Sequence, residues 1–330
     1  MNGYLARLTL ALLAGAGRMD PSRLEPHRAF LTRRQTDGGG WAGRDGPADP
    51  YYTAFALRGL WIAGGLDETI GDRAGDWIRK RMRGSDGVVD FVSLLFAAAL
   101  LELSLGIEVI GDDDAAGDRV VSVLGELRTD DGGFAKSPEG RAGSTYQTFL
   151  CVLCHEILER PVADPDGIER FLSGQRRDDG GYLEIRVAKR SGVNPTAAAV
   201  GTLRCIDRLG SIDVMETTRF LAERQNGDGG YSANTRIPFS DLLSTFTASW
   251  TRCDLMDTAG VDDAAVDLGN AETGLATSLC AAAKYARSME RPGGGFVGFE
   301  LDETTDVEYS FYGLATLALA SASQSDGVQQ

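Results

Sequence analysis

The chain is 330 residues long and 43% hydrophobic, enough to bury a large core and, on length alone, to hold two domains. Its 33 basic and 48 acidic residues leave a formal net charge of −15. That balance excludes a nucleic-acid surface and disfavours an anionic membrane, because phosphate contacts need clustered Lys and Arg.

In chain order, the first apolar run is Tyr4–Gly17 (YLARLTLALLAGAG), which reads as an amphipathic first helix or as a signal or anchor segment. Arg7 interrupts the apolar stretch and no clear cleavage site follows, which favours the helix. No segment reaches the roughly 20 apolar residues of a membrane span. The five cysteines, Cys151, Cys154, Cys205, Cys253 and Cys280, make no disulfide-scaffold spacing. They read as small buried hydrophobes of a reducing cytoplasm.

Beyond that run, a glycine turn followed by an aromatic returns along the chain. It appears at Asp37–Trp41, Asp131–Phe134, Asp179–Tyr182 and Asp228–Tyr231, at Asp86-Gly87 without the aromatic, and at Gly293–Phe296 with Pro292 in place of the Asp. The steps are 49, 45, 48 and 49 residues, then 64. A fixed period of this length means a repeat architecture.

Before the turns lie segments with one apolar and one charged face, Pro26–Arg34, Asp166–Gln175 and Glu216–Gln225. After them, across loops of about ten to fifteen residues, come segments apolar nearly all round: Thr53–Ala63, Phe91–Leu103, Thr145–Ile157, Thr196–Leu209, Leu242–Trp250 and Tyr309–Ala320. The first kind predicts outer helices with a wet side, the second inner helices buried on both sides. The glycines fit a helix C-cap and tight turn, with the aromatic wedged between repeats. The expected fold is therefore all-α: six outer and six inner helices in a ring over residues 1–320. An acidic insertion is expected at Asp254–Asp267, a last outer helix at about Thr273–Met289, and a frayed polar tail at 321–330.

These turns resemble the Gln-Trp repeat of squalene and oxidosqualene cyclases. The helix pairs resemble the α-α toroid shared by those cyclases and the β subunits of protein prenyltransferases. The last repeat, Asp306–Leu319 (DVEYSFYGLATLAL), is most similar to the β subunit of type II geranylgeranyl transferase. The resemblance covers about residues 25–320. It implies prenyl diphosphate bound in a central cavity, prenyl transfer to a protein cysteine, and an α-type subunit or acceptor protein as partner. It also implies a zinc held by an Asp, a Cys two residues on, and a His on the final inner helix. Here Asp241 matches the Asp, Leu243 stands at the Cys position and Tyr309 at the His position. One hard oxygen ligand does not make a zinc site, so no cofactor is expected.

Asp241 and Tyr309 are the catalytic candidates, and Asp241 equally suits a helix N-cap, as do Asp90, Ser144, Asn194 and Asp306. The aromatics Tyr51, Tyr52, Phe55, Trp61, Phe91, Tyr146, Phe149, Phe246, Trp250, Tyr309, Phe311 and Tyr312 fall on or beside inner helices. They line a prenyl-binding cavity or simply pack the core, and Tyr52, Tyr146, Phe246, Trp250 and Tyr312 are the named binding candidates. Arg186, Lys189, Arg190 and Arg236, in loops before the fourth and fifth inner helices, are diphosphate ligands or ordinary surface charges.

Two other motifs read as structural. Asp112-Asp113-Asp114 sits in a link rather than on an inner helix, and the lone Asp49 of PADPYYT is not the paired acid of a class II terpene cyclase. Cys151–His155 spells the c-type haem attachment motif inside an apolar helix, where it reads as buried thiols. Three functions stay open: a cytoplasmic prenyltransferase-like isoprenoid binder, a terpene cyclase with an unrecognised acid, and a non-catalytic scaffold toroid.

Overall fold

The glycine turn is the local rule from which the architecture is built. A computed structural model describes residues 3–82, 88–110, 114–259 and 274–323. In it the turn glycines Gly39, Gly132, Gly180, Gly229 and Gly294 have φ between 80° and 101°, the left-handed region open to glycine. A Cβ on any of them would lie 1.9–2.5 Å from a backbone oxygen of an outer helix. Each of these turns thus packs bare backbone against the next outer helix.

The aromatic after each turn is buried, with Trp41, Tyr231 and Phe296 at 0% exposure. Its backbone N–H donates to a hydroxyl on the following inner helix: Trp41 to Thr53 Oγ1 at 2.9 Å, Phe134 to Thr148 at 2.9 Å, Tyr182 to Thr196 at 2.9 Å, Tyr231 to Thr245 at 3.0 Å and Phe296 to Ser310 Oγ at 3.2 Å. The turn aspartates close the same loops. Asp228 Oδ1 accepts from the Gly230 N–H at 2.9 Å and from Ser240 Oγ at 2.8 Å, just ahead of an inner helix.

Thirteen α-helices follow among the described residues. After α1 (Tyr4–Ala16) come six pairs: α2 (Pro21–Thr32) with α3 (Pro50–Ile62), α4 (Glu68–Met82) with α5 (Val88–Leu105), and α6 (Asp114–Gly125) with α7 (Thr145–Ile157). Then come α8 (Pro165–Gln175) with α9 (Val193–Cys205), α10 (Val214–Ala222) with α11 (Leu242–Ala259), and α12 (Leu275–Ser288) with α13 (Val307–Ser323). A two-residue antiparallel pair, β1 (Tyr231–Ser232) and β2 (Ser240–Asp241), clips the loop before α11, with Tyr231 opposite Asp241.

The inner helices α3, α5, α7, α9, α11 and α13 each pack on the next, and α13 returns to α3. The even-numbered helices lie outside, α2 on α3, α4 against α3 and α5, and α12 against α11 and α13. The architecture is the expected all-α toroid. α13 is buried without interruption from Ser310 to Ala320, whereas α8 buries only Ile168, Phe171, Leu172 and Gln175 beyond its first turn, the one-sided pattern of an outer helix.

Several expected boundaries move, for identifiable reasons. α2 begins at Pro21 rather than Pro26, because Asp20 caps the Ser22 N–H at 2.9 Å and places Pro21 at the favoured first position. α9 starts at Val193, ahead of Pro195, whose missing N–H falls in the first turn where no intrahelical acceptor exists. It stops at Cys205 instead of Leu209, with Asp207 left-handed at φ 55°. Asn194 and Asp90 lie inside α9 and α5, so neither is an N-cap, whereas Ser144, Asp241 and Asp306 do cap their helices. α11 runs on to Ala259, so the expected insertion begins within a helix. α13 takes in Ser321–Ser323 of the expected tail. Asp86-Gly87, Asp112, Asp113, residues 260–273 and residues 324–330 lie outside the described residues.

Ring closure is made by the last turn. Gly294 packs on the Pro26 carbonyl of α2, and the Gly295 N–H donates to His27 Nδ1 at 3.1 Å. The His27 ring stacks on Phe296 with centroids 4.6 Å apart. Burial pushes the His27 imidazole down to about 4.

Gly229→Ala is expected to lower stability by roughly 2–5 kcal/mol, combining a positive φ with overpacking against the Ala281 carbonyl. Gly227→Ala, with open space around it, is the control, and urea denaturation reads both. The closure makes a second prediction. The unfolded chain protonates His27 near its ordinary value of 6.5 and the folded chain only near 4, so stability falls as pH drops through that window. The slope attributable to this group approaches about 1.4 kcal/mol per pH unit. Thermal melts of His27→Asn, which keeps an acceptor but cannot titrate, are expected to lose that component.

Candidate functional site

Six helices of about 10 Å diameter touching in a ring enclose a bore of about the same width, which side chains or a ligand must fill. The bore here is a cavity of about 430 Å³. Every inner helix contributes to its wall: Phe55 and Arg58 from α3, Phe96 from α5, Tyr146 and Phe149 from α7, Ala197 from α9, Phe246 from α11, and Phe311 and Tyr312 from α13. A smaller hollow of about 280 Å³, beside α8, is lined by charged residues such as Glu169, Arg176 and Asp178 and lies away from the bore.

Helix α1 floors the cavity through Tyr4, Leu5 and Leu8. It packs against α13, α3 and α9, and a Cβ on Gly15 would collide with the Ala318 carbonyl oxygen. The Glu156 carboxylate at the end of α7 accepts from the N–H groups of Tyr4 at 3.0 Å and Leu5 at 2.7 Å, capping the positive end of the helix dipole. Arg7, which breaks the apolar run in sequence, bonds Asp254 at 2.7 Å and Asp257 at 2.5 Å on α11. Asp254 is buried and is also held by Arg204 at 2.9 Å.

The opposite end, where the inner helices begin, is the mouth. Asp241 caps α11 there, its Oδ1 accepting the Ser244 N–H at 2.7 Å and its Oδ2 the Ser244 hydroxyl at 2.8 Å; burial raises its pKa. Tyr309 lies nearby, its ring 5.9 Å from the Arg44 guanidinium carbon. Its phenol is pushed up to about 12 by burial and then by Glu308, Asp306 and Asp241. Arg44 bonds Asp306 at 3.0 Å and also pairs with Asp302.

The zinc set implied by the resemblance does not fit these residues. Both Asp241 oxygens are engaged by Ser244, and Leu243 presents hydrocarbon to the cavity. Among the described residues no group of three His, Cys, Asp or Glu side chains is placed to hold a metal ion.

The remaining candidates divide by position. Tyr146, Phe246 and Tyr312 line the cavity. Tyr52 stands at its edge, half-buried and 5.3 Å edge-on from Tyr51, and Trp250 is buried behind the floor, 6.1 Å edge-on from Tyr4. Arg186, Lys189, Arg190 and Arg236 are exposed on the mouth loops and do not contribute to the lining. Arg190 donates to Thr235 Oγ1 at 3.1 Å, which ties the two loops together. Cys151 and Cys154 are buried in α7, and burial pushes both thiols up, Cys151 to about 12.

The residue that sequence reasoning missed is Arg58. Its Nε donates to the Ala54 carbonyl at 3.3 Å, and its guanidinium carbon lies 4.2 Å from the Phe311 ring centroid, 4.4 Å from Phe55 and 5.7 Å from Phe96. Among the described residues no carboxylate reaches ion-pair distance of it. The available signal was a single charge in an otherwise uncharged inner helix, PYYTAFALRGLWI. Glu184 was missed too. It comes from a loop, accepts from Ser144 Oγ, and has its pKa raised by burial.

Comparison with solved structures returns the same fold. Candida albicans protein geranylgeranyltransferase-I complexed with GGPP matches with a TM-score of 0.64 and 14% identity, over 90% of each chain. A variant of the type II terpene cyclase MstE from Scytonema, in complex with merosterolic acid A as product, matches with a TM-score of 0.60 and 14% identity, over 95% of this chain and 99% of that one. An inactive variant of an α-1,6-mannanase from a Salegentibacter species, in complex with α-1,6-mannotriose, gives 0.63 and 11%, over 91% and 98%. At these identities the likeness shows the fold alone. Among curated proteins, no sequence matches this chain. The family model of the prenyltransferase alpha-alpha toroid domain matches residues 5–81 and 91–237. With most of its length matched by that model and its inner helices closed in a ring, the chain belongs to the prenyltransferase α-α toroid domain family.

Proposed function

We propose that this protein binds an isoprenoid, with the hydrocarbon lying in the central cavity. The observation that carries the reading is the lining: aromatic side chains from five of the six inner helices meet around one apolar space, floored by α1. At about 430 Å³ the cavity falls within the usual range for small-molecule sites, and aromatic faces suit the branched, unsaturated chain of a prenyl group. The geranylgeranyltransferase-I structure was complexed with GGPP, which makes prenyl diphosphates the first ligands to test. The reading stops at binding, because the positions matching the zinc ligands present one engaged carboxylate, a leucine and a tyrosine.

Glu184 gives the terpene-cyclase reading an acid on the cavity wall. Protonating an alkene demands a strong acid, and burial raises the Glu184 pKa, which makes it a weaker one. Arg58 acts in the same direction, since a guanidinium over the phenyl faces repels a carbocation and occupies the rings that would stabilise it.

Calorimetric titration with farnesyl and geranylgeranyl diphosphate is expected to show binding with a negative heat-capacity change, the mark of apolar burial. Ala197→Trp, which fills the cavity from α9, is expected to abolish it while circular dichroism stays helical. Wild-type protein that takes up neither ligand would remove the isoprenoid reading.

A further inference from the structure

The cavity is not a plain hydrocarbon sleeve, because it holds a cation and an excess of hydrogen-bond donors. Beyond the Nε bond to Ala54, the terminal nitrogens of Arg58 donate to no protein acceptor among the described residues. The hydroxyls of Tyr146 and Tyr312 belong to the same lining, and no protein hydrogen bond among the described residues engages either of them. Tyr51 differs, since its hydroxyl donates to Glu308 at 2.7 Å. Arg58 senses all three tyrosines and Glu308 electrostatically, and Glu308 lies beyond ion-pair distance with its own ionisation disfavoured by burial.

A guanidinium held against phenyl faces in a cavity, half-buried and with no carboxylate of the described residues at ion-pair distance, is incompletely compensated, and the faces of Phe55 and Phe311 supply only part of what water would. The hydrocarbon of a ligand cannot supply the rest. A group with oxyanion lone pairs can, and the planar guanidinium fork matches a carboxylate or phosphate edge. The mouth is a poorer place for such a group. Its four candidate cations, Arg186, Lys189, Arg190 and Arg236, are solvent-exposed, and Glu184 faces the cavity beside them.

We propose that Arg58 is the head-group site of the cavity: it holds the oxyanion, carboxylate or phosphate, of an amphiphilic isoprenoid inside the ring, with the Tyr146 and Tyr312 hydroxyls as neighbouring donors. This rests on the isoprenoid reading of the cavity and adds the charge of the ligand and where that charge sits. It also separates two orientations. A head bound at the mouth would depend on the loop cations, and a head bound within the ring depends on α3.

The test compares farnesyl diphosphate, farnesoic acid and farnesol, which share one hydrocarbon and differ in the head, by calorimetry on the full chain. Wild type is expected to bind at least one of the two anions ten-fold or more tighter than the alcohol, and which anion is preferred distinguishes phosphate from carboxylate. Arg58→Met is expected to weaken that anion by about 10- to 100-fold, the scale of a charge-assisted hydrogen bond, and to change farnesol affinity less than three-fold. A combined Arg186→Ala, Lys189→Ala, Arg190→Ala and Arg236→Ala variant is expected to keep the anion affinity. Without ligand, Arg58→Met is expected to melt at or above the wild-type temperature, because it removes an uncompensated charge; a structural arginine would lower it. Farnesol binding as tightly as both anions, an unchanged anion affinity in Arg58→Met, or its loss in the mouth variant overturns the head-group assignment and leaves the isoprenoid reading standing. If wild type binds none of the three, both readings fall.

Discussion

The backbone N–H of the aromatic after each glycine turn holds the architecture together. It donates to a Thr or Ser hydroxyl one turn into the following inner helix, and in the turns before α7, α9, α11 and α13 that hydroxyl accepts it while donating to a carbonyl four residues earlier, as Thr196 does to Gly192 at 2.7 Å and Thr245 to Asp241 at 2.6 Å. One side chain thereby satisfies a buried donor and fixes the angle between loop and helix. The glycine before it supplies the second half of the constraint, because its missing Cβ lets the turn lie directly on the next outer helix. A single local motif thus sets both the geometry within a repeat and the step to its neighbour. Repeated to Gly294 on Pro26, it brings the array back to its start.

A closed ring of this size cannot fill its own axis with backbone, and the cavity follows from that geometry. What the sequence chooses is the content of the bore. α1 seals one end, docked by Glu156 at its N-terminus and by Arg7 on Asp254 and Asp257. At the other end Asp49, Asp241 and Asp306 cap inner helices and their carboxylates serve the backbone, Asp241 through Ser244. Between them the wall is largely aromatic and aliphatic, with Glu184 contributed by a loop and Arg58 standing mid-helix, a charge retained where apolar packing alone would favour an uncharged side chain. The ligand proposed for the cavity is the one whose parts match both features, an apolar chain and an oxyanion.

The fold was legible because its signals are local and repeated. The Asp-Gly-Gly-aromatic spacing, the one-sided outer helices and the uniformly apolar inner helices each report on a few consecutive residues. Boundaries failed where a tertiary contact overrode a local rule: Pro26 lies inside α2 because Asp20 and Pro21 supply an earlier start, and α11 continues past Trp250 because Asp254 finds Arg7 and Arg204. The cavity aromatics were legible as a set but not individually. Trp250 and Phe246 sit four residues apart on one helix, yet one packs behind the floor and the other faces the bore. Arg58 was missed because a search for anion ligands favours clusters of cations near helix N-termini. The loop cations satisfied that search, whereas the residue that lines the cavity stands alone in the middle of a helix.

The central claim is that an isoprenoid occupies the axis of the ring, and photoaffinity labelling tests it most directly. A farnesyl diphosphate analogue with a diazirine in its chain would be irradiated with the intact protein and the adducts mapped by peptide mass spectrometry. The account predicts adducts on the cavity-facing residues of at least two inner helices, such as Phe149 or Leu150 on α7 and Phe246 on α11, with labelling competed away by unmodified ligand. Adducts confined to the outer helices or the mouth loops, or labelling that unmodified ligand does not displace, would contradict it.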